Sequence, residues 1–414
     1  MNNNRSVLIL ILGLLSAIGP FSIDTYLSGF PIIAADLHVT VDAVSYSLAS
    51  FFIGISLGQL IYGPLLDRFG RKKPLIVGLV IYVVASIGCA VTHSIEMLIA
   101  FRFLQALGGC VGMVAPRAIV RDIFPVSESA KIFSTLILIL GVSPIIAPTV
   151  GSYLITTFGW QSVFWVQSSM GFLLLLAVVF LLPESKQPDP TYSLKPAPIV
   201  SSFWSVFLTP QFLTYTLAAS LVSAGVYAYL SGSPFVFMKI FNVTEQQYGW
   251  IFGFLAAGLI MSSQLNNLLL RRYSCEQIIK ATLWIQTGIG VLLCVISFMG
   301  WLTLFNAILL IFLFLCCQGF SFPNASALSM APFKKEAGTA SALMGAFQMG
   351  FGALAAALVG YLSNGTSVPM TGVMAGCAVL GLVTLSIGLY NLEGKKVTSQ
   401  ISSIIKSPFR QRPS

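Results

Sequence analysis

The sequence predicts an all-α membrane protein with twelve transmembrane helices in two pseudo-symmetric six-helix halves. Three observations carry that expectation. Hydrophobic residues fill 56% of the 414 positions and charged residues only 8%, where a soluble domain is about a quarter charged. Twelve apolar runs reach the length of roughly 20 residues that a helix needs to cross a bilayer. The basic residues are one-sided: of 22 Lys and Arg, all but Arg102, Arg117 and Lys239 fall in the N-terminus, alternate loops or the C-terminus. By the positive-inside rule that side is the cytoplasm, and both termini belong there. The net charge of +9 then reads as topology, so no nucleic-acid partner is expected.

The first run, about 7–33, follows Arg5. It is too long for a signal peptide and has no convincing small-residue cleavage site before Asp24. Runs two and three, about 43–66 and 74–92, enclose the short charged stretch Gly63-Pro-Leu-Leu-Asp67-Arg68-Phe-Gly70-Arg71-Lys72-Lys73. Gly70 allows the left-handed backbone that reverses a chain between two helices. Run four, about 96–120, carries Arg102 and Arg117. Run five, about 131–156, contains Pro144 and Pro148, each of which removes a backbone hydrogen bond and bends the helix. Gly141 and Gly151 in the same run allow close approach of a neighbour. Run six, about 160–182, closes an N-terminal half over 1–182.

Pro183–Ser205, rich in Pro, Ser and charges, is the one stretch with linker character and is expected to be a cytoplasmic linker over 183–205. Runs at about 211–236, 246–270, 278–300, 302–324, 338–362 and 370–391 form the C-terminal half, 206–391. Within it, Phe312–Gly319 is a loose echo of Arg102-Phe-Leu-Gln105-Ala-Leu-Gly108. The remaining 392–414 is a basic tail, expected to lie solvated at the lipid surface.

The seven cysteines are odd in number and lack metal-ligand spacing, so they read as small packing residues in a disulfide-free protein. No metal site is expected. His38 and His93 fall in short loops opposite the basic ones and read as exposed. Gly54-Ile-Ser56-Leu-Gly58 fits the nucleophile-elbow spacing of serine hydrolases, but that motif needs a strand-turn-helix with a histidine and an acid. Here it sits in mid-span, so an enzyme is not expected. No phosphate-binding loop is present, which argues against ATP coupling within the chain.

Ionisable groups at bilayer depth are costly and default to functional roles. Asp24 lies roughly 13 Å below the outer surface and Arg102 on the order of 10 Å below it, counted at 1.5 Å per residue. At that shared level a mutual ion pair is expected, direct or through water. It would be either a static bridge between two helices or part of a water-filled cavity in which Asp24 takes and loses a proton. Arg117 lies about 22 Å beyond Arg102, near the cytoplasmic surface. With Arg121 and Asp122 it is expected to pair with Asp67 and Arg68 in a gate. Tyr26, Gln105, Tyr227, Tyr229, Asn324, Phe347 and Gln348 place polar or aromatic groups inside spans. Tyr26, Gln105, Asn324 and Gln348 are taken as substrate-cavity candidates, and helix packing explains any one of them equally well.

The ordered set Gly63, Asp67-Arg68 and Gly70-Arg71-Lys72 resembles the signature loop between helices two and three of the major facilitator superfamily. Ile23-Asp24-Thr-Tyr26-Leu27, Arg102-Phe-Leu-Gln105-Ala-Leu-Gly108-Gly109 and Arg121-Asp122 look like the Bcr/CflA-type drug-resistance branch, as do Phe322-Pro323-Asn324 and Ala337–Ala342. Ser143-Pro144-Ile-Ile-Ala147-Pro148-Thr-Val-Gly151-Ser152 is similar to the antiporter motif of drug exporters, with alanine and serine in place of two glycines. The resemblance spans about 7–391.

It implies export of small, partly apolar molecules, as in multidrug or antibiotic efflux, in exchange for protons by alternating access. Asp24 would be the coupling carboxylate and Arg102 its partner. Gly63, Asp67, Arg68, Gly70, Arg71, Arg117, Arg121 and Asp122 would form the cytoplasmic gate, and Pro144, Pro148 and Gly151 the antiporter-motif bend. The proton gradient would supply the energy, with no cofactor. The partners would be the substrate, protons and the lipid bilayer of a bacterial inner membrane, around a monomer. A dedicated exporter of a metabolite, an amino acid or a siderophore, has the same sequence signature.

Overall fold

The computed structural model describes residues 2–190, 194–333 and 336–406. Lys334, Lys335 and the last basic residues, Arg410 and Arg412, lie outside the described residues. Among those described, twelve helices are long and apolar enough to cross a membrane. The first six spans are Arg5–Asp36, Val41–Phe69, Lys72–Val91, Ile95–Ile123, Ile139–Phe158 and Gln161–Leu181. The last six are Pro210–Ile240, Glu245–Leu269, Cys275–Phe298, Leu304–Met330, Ala337–Tyr361 and Val368–Leu392. The outward surface is apolar, with Leu173, Phe180, Trp250 and Phe298 exposed, as contact with lipid tails requires.

Local chemistry sets the helix ends. The Thr40 and Ser94 hydroxyls accept the backbone N–H groups of Ala43 and Met97 and so start spans two and four. Thr244 with Gln247, and Ser274 with Gln277, form reciprocal capping boxes at the starts of spans eight and nine. Span two continues to Phe69 and is stopped by Gly70 at φ 81°, the left-handed conformation expected there. All seven cysteines are free, and His38 and His93 are exposed.

Three spans are interrupted, which the apolar runs did not reveal. The first is helical over Asn2–Asp24, turns at Thr25 and Tyr26, and resumes as a short 3₁₀ turn, Leu27–Gly29, and a helix, Phe30–Asp36. Span four divides at Cys110 into Ile95–Gly109 and Val111–Ile123. Span seven is α-helical to Pro234 and then π-helical over Phe235–Ile240. Irregular backbone at membrane depth persists only where protein or a cavity surrounds it. Span five, by contrast, runs unbroken from Val126 to Phe158 through Pro144 and Pro148.

The 183–205 stretch is more ordered than its composition implies. Its start folds onto the turn between spans two and three, where the Asp189 N–H donates to the Arg68 carbonyl at 3.1 Å. Its end is a helix, Pro196–Phe207, whose Phe207 ring stacks on Phe347 of span eleven at 5.8 Å. The last helix continues past the apolar run as far as Lys406.

Candidate functional site

Span one breaks immediately after Asp24, and span five is pressed against the break. A Cβ on Gly151 would overlap the Thr25 carbonyl, so only glycine lets the two backbones approach this closely. Asp24 is 5% exposed and makes no hydrogen bond or ion pair with any described residue. It lies within electrostatic reach of Tyr227 and Tyr229 of span seven and Tyr248 of span eight. Its surroundings therefore include the last six spans as well as the first six.

Arg102 is completely buried. Its guanidinium carbon stands 4.1 Å from the ring centres of both Tyr26 and Phe51, and 5.7 Å from that of Phe164. Desolvated cation–π contacts of this kind contribute about 2 kcal/mol each. Nη1 donates to Gln105 Oε1 at 2.6 Å, while Nε and Nη2 have no hydrogen-bond partner. The expected Asp24–Arg102 ion pair is thus not formed in this state. Their common level is right, since Tyr26, two residues after Asp24, covers the guanidinium. The turn at Thr25 and Tyr26 sends the carboxyl and the ring in different directions.

A chain of amides and hydroxyls runs from Arg102 to Thr25, the residue after Asp24. Gln105 Nε2 donates to Ser86 Oγ and to Gln167 Oε1, both at 2.7 Å. Gln167 Nε2 then donates to Thr25 Oγ1 at 2.8 Å. The Tyr26 hydroxyl meets Ser47 Oγ at 3.2 Å. Tyr26 and Gln105, expected to line the substrate cavity, are instead buried members of this network. Gln167, which fastens it, was missed. An amide deep inside the apolar run of about 160–182 is the signal, the same signal that singles out Gln105.

At the basic end the charged turn forms a compact ion cluster. Arg71, 7% exposed, bridges Asp122 through Nε at 2.7 Å and Asp67 through Nη1 at 3.0 Å. Burial works against its charge, but Asp122 and Asp67 outweigh it and hold the guanidinium above its ordinary value. Lys186, from the linker, reaches Asp67 at 2.8 Å. Glu184 caps span three by accepting the N–H groups of Arg71 and Lys72 at 2.7 and 3.2 Å. Arg68 holds the Asp189 carbonyl at 3.3 Å. The pairing expected of Arg117 and Arg121 with Asp67 and Arg68 is not found. Arg71 and Lys186 occupy Asp67, and Arg117 and Arg121 line a cavity without an ion-pair partner among the described residues.

That cavity, of about 570 Å³, lies between the first and last six spans at the basic end. Gly63 and Arg117 face Glu336, Gly338 and Thr339 across it, and Phe203 of the linker helix stands in its wall. Its deep end reaches Met113, which touches Gly19 about one turn before Asp24. Toward the opposite end the two sets of spans meet. Ser56 Oγ of span two donates to the Ala346 carbonyl of span eleven at 2.8 Å, and Gly360 abuts Ser45 and Tyr46. Gly249 of span eight fits beneath the Pro148 carbonyl of span five, where a Cβ would stand 3.3 Å away. Gln348 borders a second, smaller cavity of about 190 Å³. Asn324 lines neither cavity and instead clamps spans ten and eight, donating to Asn266 Oδ1 at 2.7 Å.

Residues 12–357 match the Major Facilitator Superfamily. The chain is 33% identical over 398 residues to an uncharacterized MFS-type transporter, YdgK, of Bacillus subtilis, covering 95% of this chain and 97% of the relative. It is 30% identical to a bicyclomycin resistance protein homolog of Haemophilus influenzae, with coverage of 92% and 96%. It is also 30% identical to the multidrug resistance protein MdtL of Escherichia coli, with coverage of 88% and 91%. Among solved structures it is similar to a bacterial homolog of the lysosomal transporter Spinster in an inward-facing conformation, with TM-score 0.69, 16% identity and coverage of 94% and 96%. The nucleoside transporter NupG matches with TM-score 0.70, 13% identity and coverage of 93% and 99%. Twelve membrane helices, a charged turn between spans two and three, and full-length relatives near 30% identity agree: this chain is a secondary transporter of the Major Facilitator Superfamily, with relatives of the Bcr/CflA drug-resistance type.

Proposed function

We propose that the protein exports small, partly apolar molecules from a bacterial cytoplasm in exchange for protons, with Asp24 as the proton-carrying group. The observation that carries this reading is a pair of unmet demands at one level of the bundle. Asp24 is buried with no partner, and Arg102 keeps two buried donors with none. A buried carboxyl without a cation or donor is stable only as the neutral acid. A buried guanidinium with open donors invites an anion. The two groups answer each other once Asp24 gives up its proton and the turn at Thr25 shifts.

The cycle then runs as follows. With the basic end taken as cytoplasmic, this structure corresponds to an inward-open state with Asp24 protonated. Proton release into the cavity, with substrate loading, lets Asp24 approach Arg102. Spans two and eleven close at Gly63 and Gly338, the opposite end opens, and substrate leaves outward. A proton arriving from outside breaks the pair and resets the protein. Names of relatives support a drug-like substrate, since one is a bicyclomycin resistance homolog and another a multidrug resistance protein. The proton gradient is the energy source, the chain acts as a monomer, and both termini are cytoplasmic.

The test is substrate-induced proton release from detergent-purified protein, wild type against Asp24→Asn, across chemically unrelated antibiotics. Release by wild type and none by the mutant is expected. Equal release from both would remove Asp24 from coupling. Response to several unrelated compounds identifies a multidrug exporter, and response to one compound class identifies a dedicated one.

A further inference from the structure

The helix Pro196–Phe207 ends where the bilayer begins. Only Leu208 and Thr209 separate it from Pro210, the first residue of span seven, so its C-terminal end cannot stand away from the membrane surface. Its faces are divided. Ile199, Ser202 and Phe203 line the larger cavity, while Val206 is buried and Phe207 stacks on Phe347. The outward face carries Val200, Trp204 and Leu208, spaced four residues apart and 61%, 58% and 59% exposed. A stripe of large apolar groups outside the spans calls for a partner.

Position and chemistry both point to lipid. The membrane-crossing part of span seven starts two residues past Leu208, so the stripe abuts the bilayer. Tryptophan favours the headgroup level, where its ring is apolar and its N–H stays wet. The hydroxyls beside the stripe are turned into the helix itself: Ser205 Oγ donates to the Ser202 carbonyl at 2.8 Å, and Thr209 Oγ1 to the Ser205 carbonyl at 3.3 Å. No Asp, Glu, Lys or Arg occurs between Lys195 and Lys239. A charge-free helix gains nothing from anionic headgroups and binds through apolar area alone, which depends on gaps in lipid packing.

We propose that this helix seats its Val200–Trp204–Leu208 face in the headgroup–acyl boundary at the basic end of the bundle, and that lipid packing, rather than lipid charge, thereby sets one wall of the larger cavity. Trp204 and Phe203 are adjacent on a helix of twelve residues, about 18 Å long, which moves as one rod. A shift of Trp204 in the lipid therefore carries Ile199 and Phe203 with it, relative to Gly63 and Arg117 on the other side of the cavity. The seat itself requires neither substrate nor proton.

The test is quenching of Trp204 fluorescence in full-length protein in dioleoylphosphatidylcholine vesicles, taken as the difference between wild type and Trp204→Phe. Phosphatidylcholine brominated near the headgroup end of its chains should quench this component strongly, the same lipid brominated near the methyl end weakly, and aqueous acrylamide little. Dioleoylglycerol, which opens gaps between headgroups, should strengthen the quenching, whereas phosphatidylglycerol or added salt should leave it unchanged. Emission open to acrylamide and untouched by brominated lipid overturns the seat. Protection from both overturns it as well, since a protein partner or second copy then covers the stripe. A response to phosphatidylglycerol instead of dioleoylglycerol overturns control by packing. Counterflow of an antibiotic that elicits proton release should change severalfold with dioleoylglycerol in wild type but not in Val200→Ser with Leu208→Ser. That variant alters exposed positions only and leaves Trp204 stacked on Phe207 at 5.5 Å. An equal response in both proteins, or none in either, overturns the link to the cavity wall. The expected quenching without any counterflow supports the seat and counts against the transport reading alone.

Discussion

The Gln167 side chain donates to the Thr25 hydroxyl across 2.8 Å and so fastens span six to the break in span one. Its carbonyl simultaneously receives Gln105 at 2.7 Å. One amide thus sets the orientation of Gln105, which holds Arg102, and of the residue next to Asp24. Replacing it with leucine leaves one Gln105 N–H buried and unpaired, the other still held by Ser86, at a cost of about 1–3 kcal/mol. Gln167→Leu should lower the detergent-solubilised melting temperature and also reduce substrate-induced proton release, although Gln167 borders neither cavity. A full proton response from this variant would show that the network only holds helices together.

Arg102→Lys keeps the charge and tests the geometry. An ammonium cannot lie flat between Tyr26 and Phe51 or present the same fork of donors. Loss of transport is expected in a protein that still purifies as a single species, with stability reduced by about 2 kcal/mol through the weaker aromatic contacts. Wild-type transport by the lysine variant would reduce Arg102 to a point charge.

Gly151 offers a steric test of the Asp24 site from a neighbouring helix. A methyl group there must displace the Thr25 carbonyl, and overpacking of this kind costs about 1–3 kcal/mol. Gly151→Ala should therefore shift Asp24 and lower transport, read as counterflow in proteoliposomes, more than Gly141→Ala. At Gly141 the nearest atoms to an added Cβ belong to Ile260, the closest at 3.5 Å. Equal effects of the two substitutions would count against the role assigned to the break.

Gly63 and Gly338 face each other's side of the larger cavity, and a Cβ at either meets nothing within 4 Å. Both positions border the open cavity and have room for a Cβ in this state, so on leucine substitution the melting temperature should hold within the equivalent of about 0.5 kcal/mol. Closure of the cavity would then be blocked, and Gly63→Leu or Gly338→Leu should abolish counterflow. Retained counterflow in both variants would show that the halves do not close through these glycines.

Glu184 caps span three from outside it. Glu184→Ala frees the Arg71 and Lys72 N–H groups and should cost about 1 kcal/mol, as loss of a helix N-cap does. The effect should persist in high salt, because these bonds run to backbone donors. The Lys186–Asp67 pair, with side chains 38% and 36% exposed, should contribute little, and that contribution should vanish in salt.

The spans were legible because a bilayer dictates length and polarity, and the end of span two was legible because Gly70 sits where the backbone must turn left-handed. Asp24 and Arg102 stood out for the same reason, as charges within apolar runs. Counting residues at a fixed rise gave their common level correctly but carried no information about direction. The break at Thr25 decides direction, and nothing in Ile23-Asp24-Thr-Tyr26 marks a helix end in the way that proline or glycine would. The partners of Asp67 were misassigned because Lys186 and Glu184 come from a linker without periodicity, so sequence spacing cannot place them. Asn324 shows the converse limit: an amide in a span marks a polar contact, and only the neighbouring helix reveals that the contact is Asn266.

Arg117 and Arg121, one turn apart on the wall of the larger cavity, are matched across it by Glu336 alone among the described residues, because Asp67 is already shared by Arg71 and Lys186. The entrance therefore carries a standing positive potential that acts before any binding contact is made. Such a vestibule should screen visitors by sign, slowing a permanently cationic compound on approach and admitting or drawing in neutral and anionic ones. Selectivity would then arise partly as a difference in arrival rate, which added salt should flatten without altering a single residue of the cavity.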